Sequence, residues 1–507
     1  MRSASRSEAR RALLLQRCQE VLGHRQLILA SNRGPVEHHL GPEGRTEARR
    51  GSGGVVTALS ALTHSLEFTW IASAMGEGDR RAAEDSRGDR IPSGLPGHRI
   101  FLRFIVTPRR VYHKYYNVFC NPLLWFLQHY MWNSPYNPNV DASVHDAWAD
   151  GYLPVNEAFA RAILEQVRTR EEPPVVLVHD YHLYLVPGLV RREAPNAILQ
   201  QFVHIPWPTT RYWQLLPTYM RRALVESLCT ANVVGFQTPP DVRNFLDCVE
   251  EFLPEAEVDH HLREVHYRGR RVLVRDYPIS IDVEEVRRIA SSPRALEYER
   301  KLRPLCNERT IVRVDRAEPS KNIVRGFKAF GLLLDRYPEW RGRVNFLAFL
   351  VPSRTHIRQY QRYMQEIDAA VQEVNSTHGN PEWRPISVFY ENNYTQAIAG
   401  MRLYDVLLVN AVIDGMNLVA KEGPVVNTRN GVLVLSETTG AHRQLREGAL
   451  GVAPADVEGT MLALHQALAM PPEERERRAS LLAQTVEEQD ITHWLQRQFE
   501  DLAAVTG

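Results

Sequence analysis

The stretch Val314-Asp315-Arg316-Ala317-Glu318-Pro319-Ser320-Lys321-Asn322 sets a guanidinium and an ammonium five positions apart, behind an apolar run and ahead of a helical one. Arginine offers a planar fork of donors and lysine a mobile point charge. Arg316 and Lys321 therefore suit a diphosphate that gathers negative charge as it departs. A solvated strand–helix corner with ordinary surface ions fits this pattern equally well. A second candidate is Ile413-Asp414-Gly415-Met416-Asn417-Leu418-Val419-Ala420-Lys421-Glu422. Gly415 allows a close approach before a helix whose first amides can meet phosphate or sugar oxygens. Asp414 can accept from sugar hydroxyls, and Glu422 can hold two ribose hydroxyls. A plain helix start capped by Asp414 is the alternative. Arg33 and Arg354 each follow a strand-like run and suit a phosphate on a second substrate, whereas isolated arginines are usually surface residues. Asp180, His182 and His204 suit sugar hydroxyls, or are loop residues bonded internally. His179-Asp180-Tyr181-His182 lacks the HExxH spacing, so neither a metal nor a cofactor is expected.

These side chains need a scaffold. Residues 26–30 read as a buried strand running into Ser31-Asn32-Arg33-Gly34-Pro35. The glycine turn Gly51-Ser52-Gly53-Gly54 and a helix over 55–66 follow, together a plausible anion-binding unit. Residues 69–72 and 100–104 read as short strands. The segment 112–132 is densely aromatic, with Tyr112, Tyr115, Tyr116, Phe119, Trp125, Phe126, Tyr130 and Trp132 interleaved with Asn117, Asn121, Gln128 and His129. That mixture suits a helix lining a sugar pocket as well as a core helix. Apolar runs at 174–180, 197–204 and 233–236 end in polar residues, as parallel strands do when they deliver side chains at their carboxyl ends. A second series has strands at 310–314, 344–351, 386–390, 406–410 and 431–435, with helices near 321–336, 356–374, 394–402 and 415–424. The expectation is an α/β protein with two Rossmann-like domains facing across a deep cleft. Its parts are a basic N-terminal extension (1–20), an N-terminal domain (21–277) and a C-terminal domain (278–485). A C-terminal helix (486–507), with Trp494, Leu495, Phe499 and Leu502 largely on one side, is expected to cross back to the N-terminal domain.

Composition narrows the function. The 507 residues carry 61 Lys and Arg against 60 Asp and Glu, so no net field favours nucleic acid or an anionic membrane. No uncharged apolar stretch approaches the length of a membrane span, and the Arg-containing N-terminus lacks a signal-peptide core. Five scattered cysteines without a CxxC pair indicate neither zinc nor a disulfide framework. A cytoplasmic location follows as the expectation. Self-association into a homo-oligomer is left open.

The motifs, taken in order, resemble the trehalose-6-phosphate synthase family, the retaining glycosyltransferases that join glucose to glucose 6-phosphate. The resemblance runs over about residues 27–452 and rests on Ser31-Asn32-Arg33, Tyr116 to Trp125, His179-Asp180-Tyr181-His182-Leu183, His204-Ile205-Pro206, Gly235-Phe236-Gln237-Thr238, Arg316 to Lys321, Arg354, and Asp414 to Glu422. It implies a GT-B fold without metal, in which residues 21–277 form the acceptor-binding domain and residues 278–485 the nucleotide-sugar-binding domain. Arg316 and Lys321 would bind the donor diphosphate and Glu422 the ribose. Leu418 and its neighbouring amides would hold nucleotide or phosphate. Asp414 and the turn Gly415-Met416-Asn417 would contact the transferred sugar, as would His204. Arg33, Tyr116, Trp125 and Arg354 would bind the sugar-phosphate acceptor, with Asp180 near the reacting hydroxyl. Gly53 and Gly54 would lie near the donor phosphates. The partners would be a nucleotide sugar and a small phosphorylated acceptor. Some positions depart from the family pattern. Ser73 stands where a second tryptophan is common, Ala317-Glu318-Pro319 replaces Leu-Asp-Tyr, and Ser280 replaces a glycine; Gly34 and a longer stretch before Gly53 alter the first loop. These departures leave two further readings beside transfer of glucose to glucose 6-phosphate. One is transfer to glycerol 3-phosphate, or pseudo-glycosyl transfer to a cyclitol phosphate; the other is a non-catalytic sugar-phosphate sensor.

Overall fold

Largely apolar runs long enough for a strand, such as Val344–Val351, recur through the chain and become strands buried on both faces. The computed structural model describes every residue except 1, 41–45, 51–66, 95–98, 134, 168–171 and 507, and leaves aside the side chains of 2–8 and 49–50. Gly53, Gly54 and the helix expected over 55–66 lie outside the described residues. The chain divides into two compact units, Met1–Ile279 with Thr492–Gly507, and Ser280–Ile491.

The first unit holds a ten-stranded sheet. Its parallel centre runs Arg270–Asp276, Val233–Phe236, Ile198–Phe202, Val175–His179, Leu27–Ser31, Phe68–Ser73 and Ile100–Ile105. Antiparallel strands finish both edges: Glu257–Asp259 and Glu264–Tyr267 on one side, Ile91–Pro92 on the other. A separate ribbon pairs Val36–Leu40 with Thr46–Arg50. The basic lead-in is more than an extension: Arg2–Leu22 is helical, and Leu14, Cys18 and Val21, spaced to share one helix face, are buried. The C-terminal helix Ile491–Thr506 packs in this unit as well. Trp494 meets Phe202 edge-on at 5.3 Å and donates Nε1–H to the Tyr277 carbonyl at 3.1 Å, and Asp501 accepts from the Tyr277 hydroxyl at 2.6 Å.

The second unit is a wholly parallel six-stranded sheet in the order Ile386–Tyr390, Val344–Val351, Arg309–Arg316, Val406–Val409, Val432–Ser436, Leu450–Val452. The helix Ile323–Arg336 turns Ile323, Phe327, Phe330 and Leu334 inward at spacings of three to four residues. They meet Phe346 and Leu408 of the sheet in one buried cluster. Fully burying a side chain of this kind stabilises by about 1.5–3 kcal/mol, so such a layer holds the strand ends rigidly. The helix expected over 415–424 begins later, at Val419, and runs to Val426. Asn417, with φ 75°, forms the turn before it, and its Oδ1 accepts from Ala420 N–H at 3.2 Å. The residue before the helix is therefore Leu418, with Asn417 and not Asp414 bonding one of the helix's first amides. Among the described residues no helix is long and apolar enough to cross a membrane.

Candidate active site

Parallel strands deliver their functional side chains where the carboxyl ends open into loops. In the first unit three such ends carry Ser31-Asn32-Arg33, Ser73 and His179-Asp180. Asn32 ties them to the aromatic segment. Its Oδ1 accepts from Tyr115 Oη and Ser73 Oγ, each at 3.1 Å, and its Nδ2 lies 3.4 Å from Tyr112 Oη. Ser73, where a large indole was the family expectation, is thus a buried hydroxyl inside this knot. Tyr112 stacks on Tyr116 at 5.4 Å, and Tyr116 stacks on His182 at 5.8 Å. His113–Trp125 is wound in wide π turns with Pro122 inside it, a winding often found at functional sites. Arg33 is half exposed and has Glu37 at 4.0 Å.

Trp125 is placed differently from the acceptor contact expected of it. It is 2% exposed, lies flat on His129 at 4.0 Å and packs against Phe126. As the structure stands, it backs the aromatic wall and does not form its surface. Sequence position within an aromatic segment does not reveal which ring faces outward, because the π winding shifts the face.

Asp180 follows its strand with φ 73° and ψ 172°, an uncommon conformation for a non-glycine residue. Its backbone N–H donates to the Phe202 carbonyl at 2.7 Å, its carbonyl accepts from Gln201 Nε2 at 3.1 Å, and Oδ1 receives the His204 backbone N–H at 3.3 Å. These bonds hold the residue against the strain. Asp180 and His204 are therefore neighbours. Burial lowers the His204 imidazole well below its usual range, with His179 adding repulsion, so it is neutral at pH 7.

In the second unit the loop after Arg309–Arg316 gathers cations around two carboxylates. Glu318 is buried; its Oε1 lies 3.2 Å from Arg354 Nη1 and 3.5 Å from Arg316 Nε, and it accepts from Ser353 Oγ at 3.0 Å. Burial would raise the Glu318 carboxyl, but Arg316, Arg354 and Lys321 outweigh it and hold the group down at about 2. Lys321 Nζ bonds Asp414, which also accepts from Asn417 Nδ2 at 3.1 Å. Burial disfavours the Lys321 ammonium, yet Asp414 and Glu318 keep its pKa above the ordinary value. Arg354 also donates to Tyr360 Oη at 2.5 Å. Arg316, Lys321, Arg354 and Asp414 are thus one cluster, while Arg33 belongs to the other unit. The three cations exceed the two carboxylates by one charge, which leaves the cluster suited to an anion.

Sequence reasoning missed the residues that brace this cluster. Arg313, wholly buried, bonds Asp315 at 2.9 Å and the Lys321 carbonyl at 3.0 Å, fixing the loop that carries Lys321. Glu318 was legible as an acid between two cations. Gly440 was not, because its partners are distant in sequence: its N–H donates to the Asp414 carbonyl at 3.0 Å, and Ala441 N–H donates to the Met416 carbonyl at 2.9 Å. Asp414-Gly415-Met416-Asn417 is consequently clamped to the loop after Val432–Ser436. Leu418 is the residue at which the helix Val419–Val426 begins. Glu422, within that helix, is buried, accepts from Tyr394 Oη at 2.8 Å and is pushed up to about 7 by burial. A carboxyl with that pKa can donate or accept toward a diol.

Comparison with known proteins identifies the family. A model of the family described as glycosyltransferase family 20 matches residues 25–504. Validamine 7-phosphate valienyltransferase of Streptomyces hygroscopicus subsp. jinggangensis is 31% identical over 490 residues, covering 94% of each chain. The UDP-forming α,α-trehalose-phosphate synthase of Candida albicans is 31% identical over 89% of this chain and 91% of its own. Among solved structures, the UDP-forming α,α-trehalose-phosphate synthase of Burkholderia xenovorans in complex with glucose-6-phosphate matches with a TM-score of 0.80 at 27% identity, over 94% of this chain and all of that one. An E. coli structure described as trehalose-6-phosphate bound with UDP-2-fluoro glucose gives 0.79 at 27% identity, over 94% and 99%.

Proposed function

Because the chain belongs to glycosyltransferase family 20, and is a GT-B retaining glycosyltransferase that transfers to a sugar phosphate, we propose that it moves glucose from a nucleoside-diphosphate glucose to glucose 6-phosphate, giving trehalose 6-phosphate. The observation that carries this reading is the surplus of positive charge formed by Arg316, Lys321 and Arg354 around Glu318 and Asp414. Arg316 and Lys321 receive the diphosphate. As the bond from the anomeric carbon to the leaving oxygen breaks, their charge stabilises the oxygen that departs with the electron pair. The acceptor hydroxyl approaches the face from which the diphosphate leaves, and the departing phosphate oxygen takes the hydroxyl proton. The α configuration is retained, and no pair of glycosidase carboxylates is needed. Asp414 holds hydroxyls of the transferred sugar together with the Gly415-Met416-Asn417 turn, and Glu422 the ribose. Arg33, Tyr116 and Arg354 serve the phosphorylated acceptor, and Asp180 lies toward its reacting hydroxyl. The polar wall presented by Asn32, Tyr112 and Tyr116 supports a sugar ring there.

Ser73 favours a second reading. A buried hydroxyl bonded to Asn32 in place of an indole alters the wall on the acceptor side, and a relative of similar likeness is a valienyltransferase acting on validamine 7-phosphate. Transfer of a cyclitol unit to a cyclitol phosphate uses the same diphosphate anchors. A mass-resolved assay decides between them by pairing several nucleotide hexoses and nucleotide cyclitols with glucose 6-phosphate, glycerol 3-phosphate and cyclitol phosphates. Trehalose 6-phosphate as the favoured product supports the first reading. Its absence while another phosphorylated product accumulates overturns that reading, and saturable binding without transfer across the whole panel identifies a sensor.

A further inference from the structure

His179 closes the strand Val175–His179 and has no task in the chemistry above. It is buried, and its Nδ1 lies 3.1 Å from Nε2 of His204. Its other ring nitrogen, Nε2, is sealed from solvent without a hydrogen-bond partner. The two imidazoles stand 5.4 Å apart between centroids, and Phe202 packs against both, at 6.3 Å from His179 and 4.6 Å from His204. Burial holds the His179 imidazole down at about 3, so both rings are neutral near pH 7. A neutral imidazole carries one N–H and one bare nitrogen, and the contact between the rings consumes one of each.

Only two arrangements are available. With the proton of His179 on Nε2, that N–H is buried without an acceptor, and His204 must supply the bridging proton. Orphaned buried donors are rare in native structures and cost about 1–3 kcal/mol. With the proton on Nδ1, His179 donates to His204 and leaves only a lone pair at the buried Nε2. We infer that His179 is a positioning residue: it donates Nδ1–H to Nε2 of His204 and so fixes His204 as the tautomer protonated on Nδ1.

The rest of His204 is tethered to match. Its backbone N–H is bonded to Asp180 Oδ1 at 3.3 Å, and its carbonyl accepts from Gln237 Nε2 at 3.4 Å. The backbone and Nε2 are thus engaged, and no described residue takes up Nδ1. The N–H on Nδ1 is the group left to meet a ligand, and it meets it as a donor. The catalytic consequence rests on the reading that His204 touches the transferred sugar. There, a donating Nδ1–H makes the sugar hydroxyl an acceptor, turns the hydroxyl proton toward another partner, and so selects the orientation of the sugar.

Selective 15N labelling of the histidines tests the tautomer directly, because two-bond proton–nitrogen correlations report which ring nitrogen is protonated. Comparison with His204→Gln identifies the His204 signals. The expected wild-type pattern at pH 7 is protonation on Nδ1. His179→Phe should release His204 to the Nε2-protonated form and lower kcat/KM for transfer by about tenfold or more, the worth of one positioned hydrogen bond. His179→Asn, whose amide nitrogen occupies roughly the Nδ1 position, should restore the tautomer and most of the activity. A merely structural role for His179 would not move the tautomer with the donor. An Nε2-protonated His204 in the wild-type protein overturns the inference, as does an unchanged pattern in His179→Phe. If His179→Phe does not fold, the wild-type spectrum and His179→Asn decide. Absence of transfer by the wild-type protein across the substrate panel defeats the proposed function and leaves the tautomer result standing on its own.

Discussion

Gly440→Ala adds one carbon, and nearly all of its effect should fall on donor handling. The new Cβ would lie against the Gly415 carbonyl oxygen, 2.9 Å from the Gly415 carbonyl carbon and 3.1 Å from Met416 Cα. Carbon atoms settle at about 3.5–4.0 Å, and the oxygen overlap is worse, so one loop must withdraw by about 1 Å. The obstacle is backbone and cannot rotate away. The Asp414-to-Asn417 turn would move, because the opposing loop continues from the sheet strand Val432–Ser436. A displacement of that size at a positioning element can cost about a hundredfold in rate. Overpacking of this kind typically lowers stability by about 1–3 kcal/mol. Steady-state transfer with each substrate varied in turn, together with urea unfolding, measures both quantities. The expected result is a loss of about a hundredfold in kcat/KM for the donor, a folded protein, and acceptor binding close to normal. Wild-type efficiency in Gly440→Ala would show that the turn tolerates displacement, and the role given to Asp414 through Asn417 would be wrong.

Lys321→Ala removes an ammonium from the leaving group and leaves Asp414 without it, so turnover should fall by about 10²–10³; near-normal kcat in a direct transfer assay would contradict its role. Glu318→Gln keeps the shape but removes the charge that holds Arg316 and Arg354. It should lower kcat/KM about tenfold or more, with Glu318→Asp intermediate, and unchanged constants for both substrates would count against it. His179 gives a pH signature. Its folded pKa of about 3 lies below the unfolded value near 6.5, so the unfolded chain binds the proton first and stability falls as pH drops through that window. The slope is about 1.4 kcal/mol per pH unit for this group, or about 2 kcal/mol between pH 7 and 5. His179→Asn should lose that component in urea unfolding, and an identical pH dependence in the two proteins would refute the assignment.

Much of the scaffold was legible, because strands buried on both faces are nearly continuous apolar runs, as Val344–Val351 and Val175–His179 are apart from Asn345 and His179. The edge hairpin Glu264–Tyr267 with Arg270–Asp276 was not. It carries His266, Arg270, Arg271 and Arg275 on a half-solvated strand pair, so no apolar run marks it. Its turn places Arg268 and Gly269 at φ 50° and 75°, and an arginine is a poor signal for a left-handed position. The charged helix Pro472–Glu488 escaped notice for a similar reason, since few of its residues are buried. Within the candidate site, residue types pointed to Arg316, Lys321 and Asp414 because phosphate and sugar chemistry demands such groups. The braces did not show, because Gly440 and His179 acquire their tasks from partners on other strands or loops of the sheet, and Arg313 from a turn that folds Lys321 back beside its own strand. Trp125 illustrates the converse: its type suggested sugar binding, and its winding turned it inward.

The last helix has a consequence for how the protein is made. Trp494 fills a slot formed by Phe202 and Tyr277, so the interior of the first unit remains open to water until residues beyond Ile491 have been synthesised. By then much of Ser280–Ile491 has emerged from the ribosome and can have begun to fold. A nascent chain therefore carries an unfilled greasy notch through most of its elongation. A chain truncated before Thr492 would keep Ser280–Ile491 while exposing the notch of the earlier-made unit to quality control.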